Sequence, residues 1–460
     1  MTRKDPVHIG EPGIGVDLAA PFTAEDPTTA WLFALNRRGI RPGLGRIQGL
    51  LDDLGNPERE LTTLVTAGTN GKGSTTRVLA CLLQAAGLKV ATYTSPHLLR
   101  VYERLTVDDV SVSPDRFAAT VEALRPSVDR HESSWFETLT AAAVQIAHEE
   151  KVDIFCVETG LGGRLDATNA LPAAATLLTT VALDHQHILG ETREAILDEK
   201  LGLLKKGTPF FCSVAPDLAG QAFNAAVQAD APAFFLDEIT RVEDGADTWR
   251  LILRDRVIDG LPRLESPALR RNIALSLLAL DELEKRGVVR GPEDPGKALT
   301  DLFLPGRFHQ VLSGPDLIVD TAHNAQALQG VLQTFLARPC TGRRVLLFGG
   351  MHDKPVDHEL APLFRQFDAV TMAPVSLPRS RTRADLEELR SSLELPTDQD
   401  HSIVDTVAAA LSYWGTRLNP EDAVLVTGSC FMVAETLHRL GIRDLDETRQ
   451  VRPARTIFQA

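Results

Sequence analysis

The chain has 460 residues, of which 43% are hydrophobic and 24% are charged, and its formal net charge is −14. This length suggests two or three domains, and the composition excludes wholesale disorder. The acidic balance argues against a broad basic surface for nucleic acid, although it leaves room for a local basic pocket.

The N-terminus and the cysteines indicate the compartment. Residues 1–26 are polar and rich in Pro and Gly, so they lack the apolar core of a signal peptide and predict a flexible arm. No apolar run approaches membrane-spanning length. The five cysteines lie far apart with no C-x-x-C pair, which is typical of buried thiols in a reducing cytosol. The sequence predicts a soluble, cytoplasmic, monomeric protein with no membrane or nucleic-acid partner.

Short apolar runs alternate with helical patterns along the first part of the chain. This alternation predicts parallel βαβ units with helices on both faces of a sheet. The predicted strands are Leu61–Thr66, Lys89–Tyr93, Asp153–Val157, Thr176–Val181 and Phe210–Val214, and the predicted helices include Thr75–Ala86, Phe136–Glu150 and Arg193–Leu204. The alternating stretch at Val242–Arg256 predicts a small antiparallel hairpin.

A second α/β series begins after Leu304-Pro305-Gly306. Its predicted strands are Leu317–Val319, Val345–Phe348, Ala369–Met372 and Ala423–Val426, and its predicted helices are Ala327–Leu336, Ala384–Leu393, Thr406–Leu411 and Val433–Leu440. We therefore expect a flexible arm at 1–26, one domain at 27–303 and a smaller domain at 304–460.

The most informative motif is the run from Gly68 to Thr75, which follows a predicted strand and opens a predicted helix. Glycines let backbone N–H groups turn toward an anion, while the helix N-terminus and Lys72 add positive charge. Ser74 and Thr75 offer hydroxyls to Mg²⁺. The spacing departs from G-x-x-x-x-G-K because Thr66 occupies the first glycine position. A glycine-rich turn without a ligand is the alternative.

Other polar residues follow the neighbouring predicted strands. Glu158 ends one of them and precedes a glycine-rich loop, His185 follows the next, and Ser95 follows the strand Lys89–Tyr93. The carboxyl ends of parallel strands meet at one sheet edge, so we expect these three residues to lie near the phosphate loop as a metal site. Taken alone, each has an ordinary structural explanation. Lys200 lies in a helical pattern, where a solvated lysine is the default interpretation.

The chain resembles the dihydrofolate synthase/folylpolyglutamate synthase enzymes, which form the folate branch of the Mur ligases. The resemblance rests on Gly68–Thr75, Thr94–Leu98, Tyr102-Glu103-Arg104, Phe136-Glu137, Glu158–Asn169, Asp184-His185, Glu199-Lys200, Pro305-Gly306-Arg307, Asp320–Asn324 and Thr427-Gly428-Ser429. The chain departs from the family's usual residues at Ala268-Leu269, at Ala325-Gln326, at Cys430-Phe431-Met432 and at Gln186-His187 beside His185.

The resemblance implies an α/β fold in which a P-loop Mur-ligase-type ATPase domain with a mainly parallel sheet precedes a smaller Rossmann-like domain. It implies ATP and Mg²⁺ as cofactors and a cleft between the domains as the active site. It implies phosphate binding by Gly71, Lys72, Gly73, Ser74 and Thr75, ATP contacts from Asn272, Arg307 and Asp320, and Mg²⁺ ligation by Ser95, Glu158 and His185. It implies catalytic roles for Lys72, His185 and a carbamylated Lys200, and pterin binding by Ser134, Trp135, Phe136, Glu137, Leu165, Asp166 and Ala167.

The implied activity is ATP-dependent ligation of L-glutamate to dihydropteroate, to reduced folates, or to both. Polyglutamation alone is one alternative, and a P-loop nucleotide switch without ligase activity is another. The long loop after Glu158 and the second domain count against the switch. A cell-wall Mur ligase acting on a muropeptide is a third alternative, against which the sequences at 94–97 and 158–169 favour the folate branch.

Overall fold

The fold is that of a computed structural model, which describes residues 26–39, 41–354, 356, 358–397 and 399–454. Residues 1–25 of the predicted N-terminal arm lie outside the described residues. Asp26 caps the first helix, since its side chain accepts hydrogen bonds from the backbone N–H groups of Thr28 and Thr29 at 2.8 and 3.0 Å.

The part of the chain before residue 304 alternates strands and helices. Its strands are β1 (Thr63–Ala67), β2 (Val90–Tyr93), β3 (Leu105–Val107), β4 (Val110–Ser111), β5 (Ile154–Glu158), β6 (Ala173–Leu178), β7 (Phe210–Cys212), β8 (Ala233–Phe235), β9 (Arg241–Asp244), β10 (Thr248–Ile252) and β11 (Val257–Pro262). Its helices are α1 (Pro27–Ala34), α2 (Gly45–Asp53), α3 (Lys72–Ala85), α4 (Pro114–Arg130), α5 (Trp135–Glu149), α6 (Gln186–Leu189), α7 (Arg193–Leu201), α8 (Pro216–Gln228), α9 (Leu236–Ile239), α10 (Pro267–Lys285) and α11 (Pro295–Ala298).

The part after residue 304 contains a second such series. Its strands are β12 (His309–Ser313), β13 (Asp316–Val319), β14 (Arg344–Phe348), β15 (Ala369–Met372), β16 (Asp400–Ile403), β17 (Ala423–Thr427) and β18 (Arg452–Pro453). Its helices are α12 (Ala325–Ala337), α13 (Ala361–Phe364), α14 (Arg383–Ser392), α15 (Val407–Gly415) and α16 (Cys430–Arg439). No helix in the described ranges is both long and apolar enough to cross a membrane.

The first sheet has eight strands in the order β4-β3-β2-β5-β1-β6-β7-β8. From β2 to β8 all pairs are parallel, whereas β3 and β4 form an antiparallel edge hairpin. Phe155 packs into the core beside α5, and its neighbour Cys156 packs into the core beside α3 and α10. Adjacent strand residues face opposite sides of a sheet, so these two cores confirm the prediction of helices on both faces.

The second sheet has seven strands in the order β16-β15-β14-β17-β13-β12-β18. It is parallel except for the antiparallel pair of β12 and β13. The loop after β2 joins the two halves of the molecule, because Leu98 and Leu99 pack into the core of this second sheet.

Several element boundaries differ from the predictions. β6 begins at Ala173 and ends at Leu178, earlier than predicted, because Ala and Thr give little periodic signal. The predicted hairpin is one pair of a three-stranded antiparallel sheet with the order β11-β10-β9, in which β11 was not predicted. The short strands β12, β16 and β18 were also not predicted, since two to five residues with polar members carry no clear period.

Candidate active site

The phosphate loop runs between β1 and α3 and depends on two glycines. Gly68 and Gly71 have φ values of +147° and +86°, which side-chain-bearing residues rarely adopt. A Cβ at Gly71 would lie 2.7 Å from Oδ1 of Asn272, so only glycine allows α10 to approach the loop this closely. The loop therefore presents backbone N–H groups at the start of α3, where an anion is stabilised.

Lys72 is the first residue of α3 and folds over its own loop. Its Nζ donates to the carbonyl oxygen of Thr69 at 3.1 Å and lies 4.0 Å from Oε1 of Glu158. Ser74 and Thr75 are buried in the first turn of the same helix. In the described part of the chain, the Thr75 hydroxyl has no hydrogen-bond partner.

Glu158 ends β5 and is only 3% exposed. Its Oε2 accepts a hydrogen bond from the backbone N–H of Ser95 at 2.9 Å. Burial raises the pKa of Glu158, and the charge of Lys72 opposes that rise. A Cβ at Gly73 would lie 3.0 Å from the carboxylate, so the glycine keeps the helix start close to it. A buried carboxylate beside a lysine and a phosphate loop is suited to a divalent cation.

His185 follows β6 and lies beside Asp184. Its backbone N–H donates to Oδ1 of Asp184 at 2.8 Å, and its Nε2 lies 3.3 Å from Nζ of Lys354. Burial lowers the pKa of His185 to about 4, and the negative charge of Asp184 offsets part of that shift. The imidazole is therefore neutral at physiological pH, which is the form that binds metals.

Asp184 has a pKa well below the ordinary range. Burial alone would raise it, but a hydrogen bond with His323 and the charge and hydrogen bond of Lys354 keep the carboxylate ionised. Lys354 and His323 belong to the second sheet's half of the molecule, so Asp184 connects the two halves.

Lys200 is not the solvated lysine that its local sequence suggests. It is 4% exposed, and its Nζ donates to the carbonyl oxygen of Gly68 in the phosphate loop at 2.8 Å. Burial, followed by the charge of Lys72, lowers the pKa of Lys200 to about 7. The prediction of a solvated lysine was wrong. Helix α7 buries Lys200 together with Ile196 and Leu197, and packing against the rest of the domain decides which side of the helix is buried.

Three further predicted residues approach from outside the first sheet. Asn272 on α10 is buried against Gly71. Arg307 contacts the hydroxyl of Thr321. The carboxylate of Asp320 accepts from the backbone N–H groups of Phe308 and Ala322 at 2.7 and 2.8 Å, which orders the strand end from which it projects.

The predicted pterin-binding stretch at 134–137 starts helix α5. Ser134 and Glu137 form a capping box, with Ser134 N–H donating to Oε2 of Glu137 at 2.7 Å, and Glu137 also pairs with Arg46. A Cβ at Gly160 would lie 2.4 Å from the ring of Phe136, so that ring lies against the loop after β5. The Trp135 ring stacks under the guanidinium of Arg104 at 4.4 Å.

The second predicted pterin-binding stretch, 165–167, lies in the glycine-rich loop. Asp166 is 6% exposed and accepts from Leu161 N–H at 2.7 Å and from Thr168 N–H at 3.0 Å, so its carboxylate holds the loop together. Leu165 is exposed and Ala167 is buried in the core. These contacts give Asp166 a structural role in the loop.

A cavity of about 550 Å³ lies between the two halves of the molecule. It brings together most of the predicted site residues: Gly71, Lys72, Gly73, Ser74, Ser95, Glu158, His185, Lys200, Asn272, Arg307 and Asp320. Thr75, residues 134–137 and residues 165–167 do not line it.

Sequence reasoning missed Lys354 and gave no role to Asn324. Lys354 follows β14 and Gly349-Gly350, and a basic residue just after a glycine-ended parallel strand was the available signal. Asn324 begins α12 as its N-cap, and residues of this type at a helix start are usually explained by capping alone.

Comparison with known proteins gives matches over almost the whole chain. The family described as "Mur ligase, glutamate ligase domain" matches residues 306–430. The dihydrofolate synthase/folylpolyglutamate synthase of Escherichia coli (strain K12) is 30% identical over 425 residues, covering 91% of this chain and 97% of that protein.

Solved structures of folylpolyglutamate synthase/dihydrofolate synthase enzymes also match this chain. The E. coli FolC in complex with DHPP and ADP superposes with a TM-score of 0.80 at 30% identity, covering 91% of this chain and 99% of that one. A bifunctional folylpolyglutamate synthase/dihydrofolate synthase with Mn, AMPPNP and L-glutamate bound gives a TM-score of 0.81 at 29% identity, covering 92% of this chain and 100% of that one. The chain therefore belongs to the dihydrofolate synthase/folylpolyglutamate synthase family of ATP-dependent ligases.

Proposed function

We propose that this ligase joins L-glutamate to dihydropteroate and to reduced folates, with ATP as the energy source. The observation that carries the proposal is the cavity of about 550 Å³ in which a phosphate loop, a buried carboxylate suited to a metal and residues of the second domain meet. The E. coli relative is named a dihydrofolate synthase/folylpolyglutamate synthase and was solved with DHPP and ADP, which supports this substrate class.

The chemistry requires activation of a carboxylate. A carboxylate is a poor electrophile, so transfer of the γ-phosphoryl group of ATP to it creates an acyl phosphate with a good leaving group. The amine of glutamate then attacks, a C–N bond forms and phosphate leaves. The protein has to align three reactants and compensate phosphoryl charge. We assign charge compensation to Lys72 and the loop N–H groups, and nucleotide contacts to Asn272, Arg307 and Asp320.

The residues present fit a Mg²⁺ ion. Mg²⁺ binds through one or two carboxylates and hydroxyls and fills its other positions with water and phosphate oxygens. The ionisable Glu158, the Ser95 hydroxyl and neutral His185 provide such a set beside the phosphate loop. When bound, Mg²⁺ neutralises charge on the transferred phosphoryl group. We propose that these three residues hold it and that Lys200, as a carbamate, orients the site.

Water exclusion is the task of the second domain. An acyl phosphate exposed to solvent would hydrolyse, so closure over the cavity protects it. We propose that the pterin rests near Phe136 and the loop after β5, where an aromatic ring already lies against Gly160. We also propose that the enzyme is a monomer and that it works in the cytoplasm, where its five free cysteines would stay reduced.

The products should be ADP and inorganic phosphate. Lys72 and the loop amides are placed at the start of α3, where they compensate charge on β- and γ-phosphates and therefore favour transfer of the terminal phosphoryl group. Chromatography of the nucleotide products during one turnover would check this. AMP appearing in proportion to amide bond formation would contradict it.

Both dihydropteroate and tetrahydrofolate should support phosphate release when ATP and glutamate are present. The stretches at 134–137 and 165–167 resemble the dihydropteroate-binding stretches of bifunctional members of the family, which is the basis for this expectation. Release would be measured with each acceptor in turn, with omission of glutamate as the control. Activity on tetrahydrofolate alone would leave only the polyglutamating role, and acceptor-independent ATP turnover would favour a nucleotide switch.

A further inference from the structure

Asn324 connects the second domain to the phosphate loop through a buried side chain that is 4% exposed. Its amide forms a reciprocal pair with the amide of Asn70, two residues before Lys72. Nδ2 of Asn324 donates to Oδ1 of Asn70 at 2.9 Å, and Nδ2 of Asn70 donates to Oδ1 of Asn324 at 3.1 Å. Asn70 also donates to Oε1 of Gln326 at 2.8 Å. A helix start in one domain thus contacts the loop that we assign to phosphate in the other.

The same amide also reaches the loop that carries His185. Nδ2 of Asn324 donates to Oδ2 of Asp184 at 3.1 Å, and its Oδ1 accepts from the backbone N–H of Ala327 at 3.0 Å. Both ends of the amide are therefore in use, one as donor and one as acceptor. An aspartate side chain would lack the N–H donors, and a serine side chain would be too short to reach Asn70 and Asp184. The position therefore requires an amide.

The main chain of Asn70 is held by the first domain independently of this contact. Its carbonyl oxygen accepts from the hydroxyl of Thr179 at 2.7 Å. Loss of the amide pair would therefore leave the loop folded but would remove the reciprocal contact of Asn70 with Asn324, while the hydrogen bond from Asn70 to Gln326 would stay.

We propose that Asn324 is a positioning residue that fixes the phosphate loop and the Asp184-His185 loop relative to each other only when the second domain closes on them. The proposal rests on the proposed ligase reaction. In the open state the two loops lack this shared contact, so phosphoryl transfer is coupled to the closed, water-excluding arrangement.

The first test is a double-mutant cycle with Asn324→Ser and Asn70→Ala. Serine keeps the N-cap of α12, so the helix should stay intact. We expect kcat to fall about tenfold in each single variant. The double variant should be within about twofold of the worse single variant, because both changes remove the same pair. Losses that multiply in the double variant would overturn the proposal.

The second test combines kcat with a measurement on the ligand-free protein and has a matched control. Arg449 forms an ion pair with Asp109 across the same two halves at 2.7 Å, and neither residue belongs to the phosphate loop. Small-angle scattering of the ligand-free protein should show a larger radius of gyration for both Asn324→Ser and Arg449→Gln. Only Asn324→Ser should lower kcat.

Two results would contradict the role of Asn324. An unchanged radius of gyration with kcat within about twofold of the wild type would remove it from closure. An equal loss of kcat in Arg449→Gln would mean that general adhesion of the domains is responsible. A wild-type chain without ligase activity would instead contradict the proposed function. The radius of gyration of Asn324→Ser would then still test whether Asn324 holds the two domains together.

Discussion

Glu158→Gln should lower turnover by about a hundredfold or more while leaving the fold intact. The substitution removes the negative charge that we assign to Mg²⁺, and phosphoryl transfer without a positioned cation loses charge compensation in its transition state. The side chain keeps an oxygen that can accept the hydrogen bond from Ser95, so the loop after β2 should not move. Turnover at several Mg²⁺ concentrations, together with the melting temperature, measures both parts.

Glu58→Gln is the matched control for this experiment. Glu58 is also a buried glutamate, at 5% exposure, but it lies in the turn before β1, away from the cavity. We expect nearly normal turnover in this variant. Near-normal activity of Glu158→Gln at ordinary Mg²⁺ concentrations would exclude Glu158 from the metal site.

Lys200→Arg should fail as severely as Lys200→Ala, with a loss of turnover on the order of a hundredfold. A buried lysine whose pKa is lowered to about 7 is largely neutral above pH 7. A neutral amine can attack CO₂, which forms an N–C bond, and loss of one amine proton to solvent leaves an anionic carbamate. Arginine stays charged and cannot form one. A cation beside the site would also repel Mg²⁺.

Activation of the enzyme by bicarbonate should increase with pH. The neutral fraction of Lys200 increases as the pH passes upward through about 7, so bicarbonate should activate the enzyme faster near pH 8 than near pH 6. A carbamate signal from isotope-labelled bicarbonate in the spectrum of the wild type, absent in both variants, would provide a direct readout. Short-chain carboxylates should partly rescue Lys200→Ala.

Lys205→Arg provides the control for the lysine experiment. Lys205 also has a pKa lowered by burial, and it donates to the carbonyl oxygens of Asn169 and Leu171 at 3.0 and 2.6 Å. Arginine can still donate there, so activity should remain. Full activity of Lys200→Arg would contradict carbamylation and leave Lys200 with a structural hydrogen bond only.

The sequence predicted the architecture because its parallel strands are buried and nearly continuous in apolar residues. β1, β5, β14 and β17 were all placed within one or two residues, since helices cover both faces and the strands are mainly apolar. Short strands such as β18 were not predicted, because they are strands through pairing with a neighbouring strand and not through their own residues.

The site was predictable to the extent that it depends on strand ends. Glu158 ends a strand, Ser95 and His185 follow strands, and topology alone brings the three to one edge. The burial of Lys200 and the contacts of Lys354 and Asn324 depend on how helices and domains pack, which no local pattern records. Ser134 and Glu137 carry the S-x-x-E pattern of a capping box, which the structure shows, whereas pterin binding by the same stretch stays a prediction from the family resemblance.

The order β2-β5-β1-β6 has a thermodynamic consequence for ligand binding. Neighbouring strands lie about 4.8 Å apart, so the four loops that carry Ser95, Glu158, the phosphate loop and His185 start within about 15 Å of one another on a rigid frame. The first domain therefore binds a nucleotide with little loss of backbone conformational entropy. The loss of conformational entropy accompanies instead the approach of the second domain. A substitution can therefore change the affinity for nucleotide without changing how readily the domains close for reaction, and the reverse also holds.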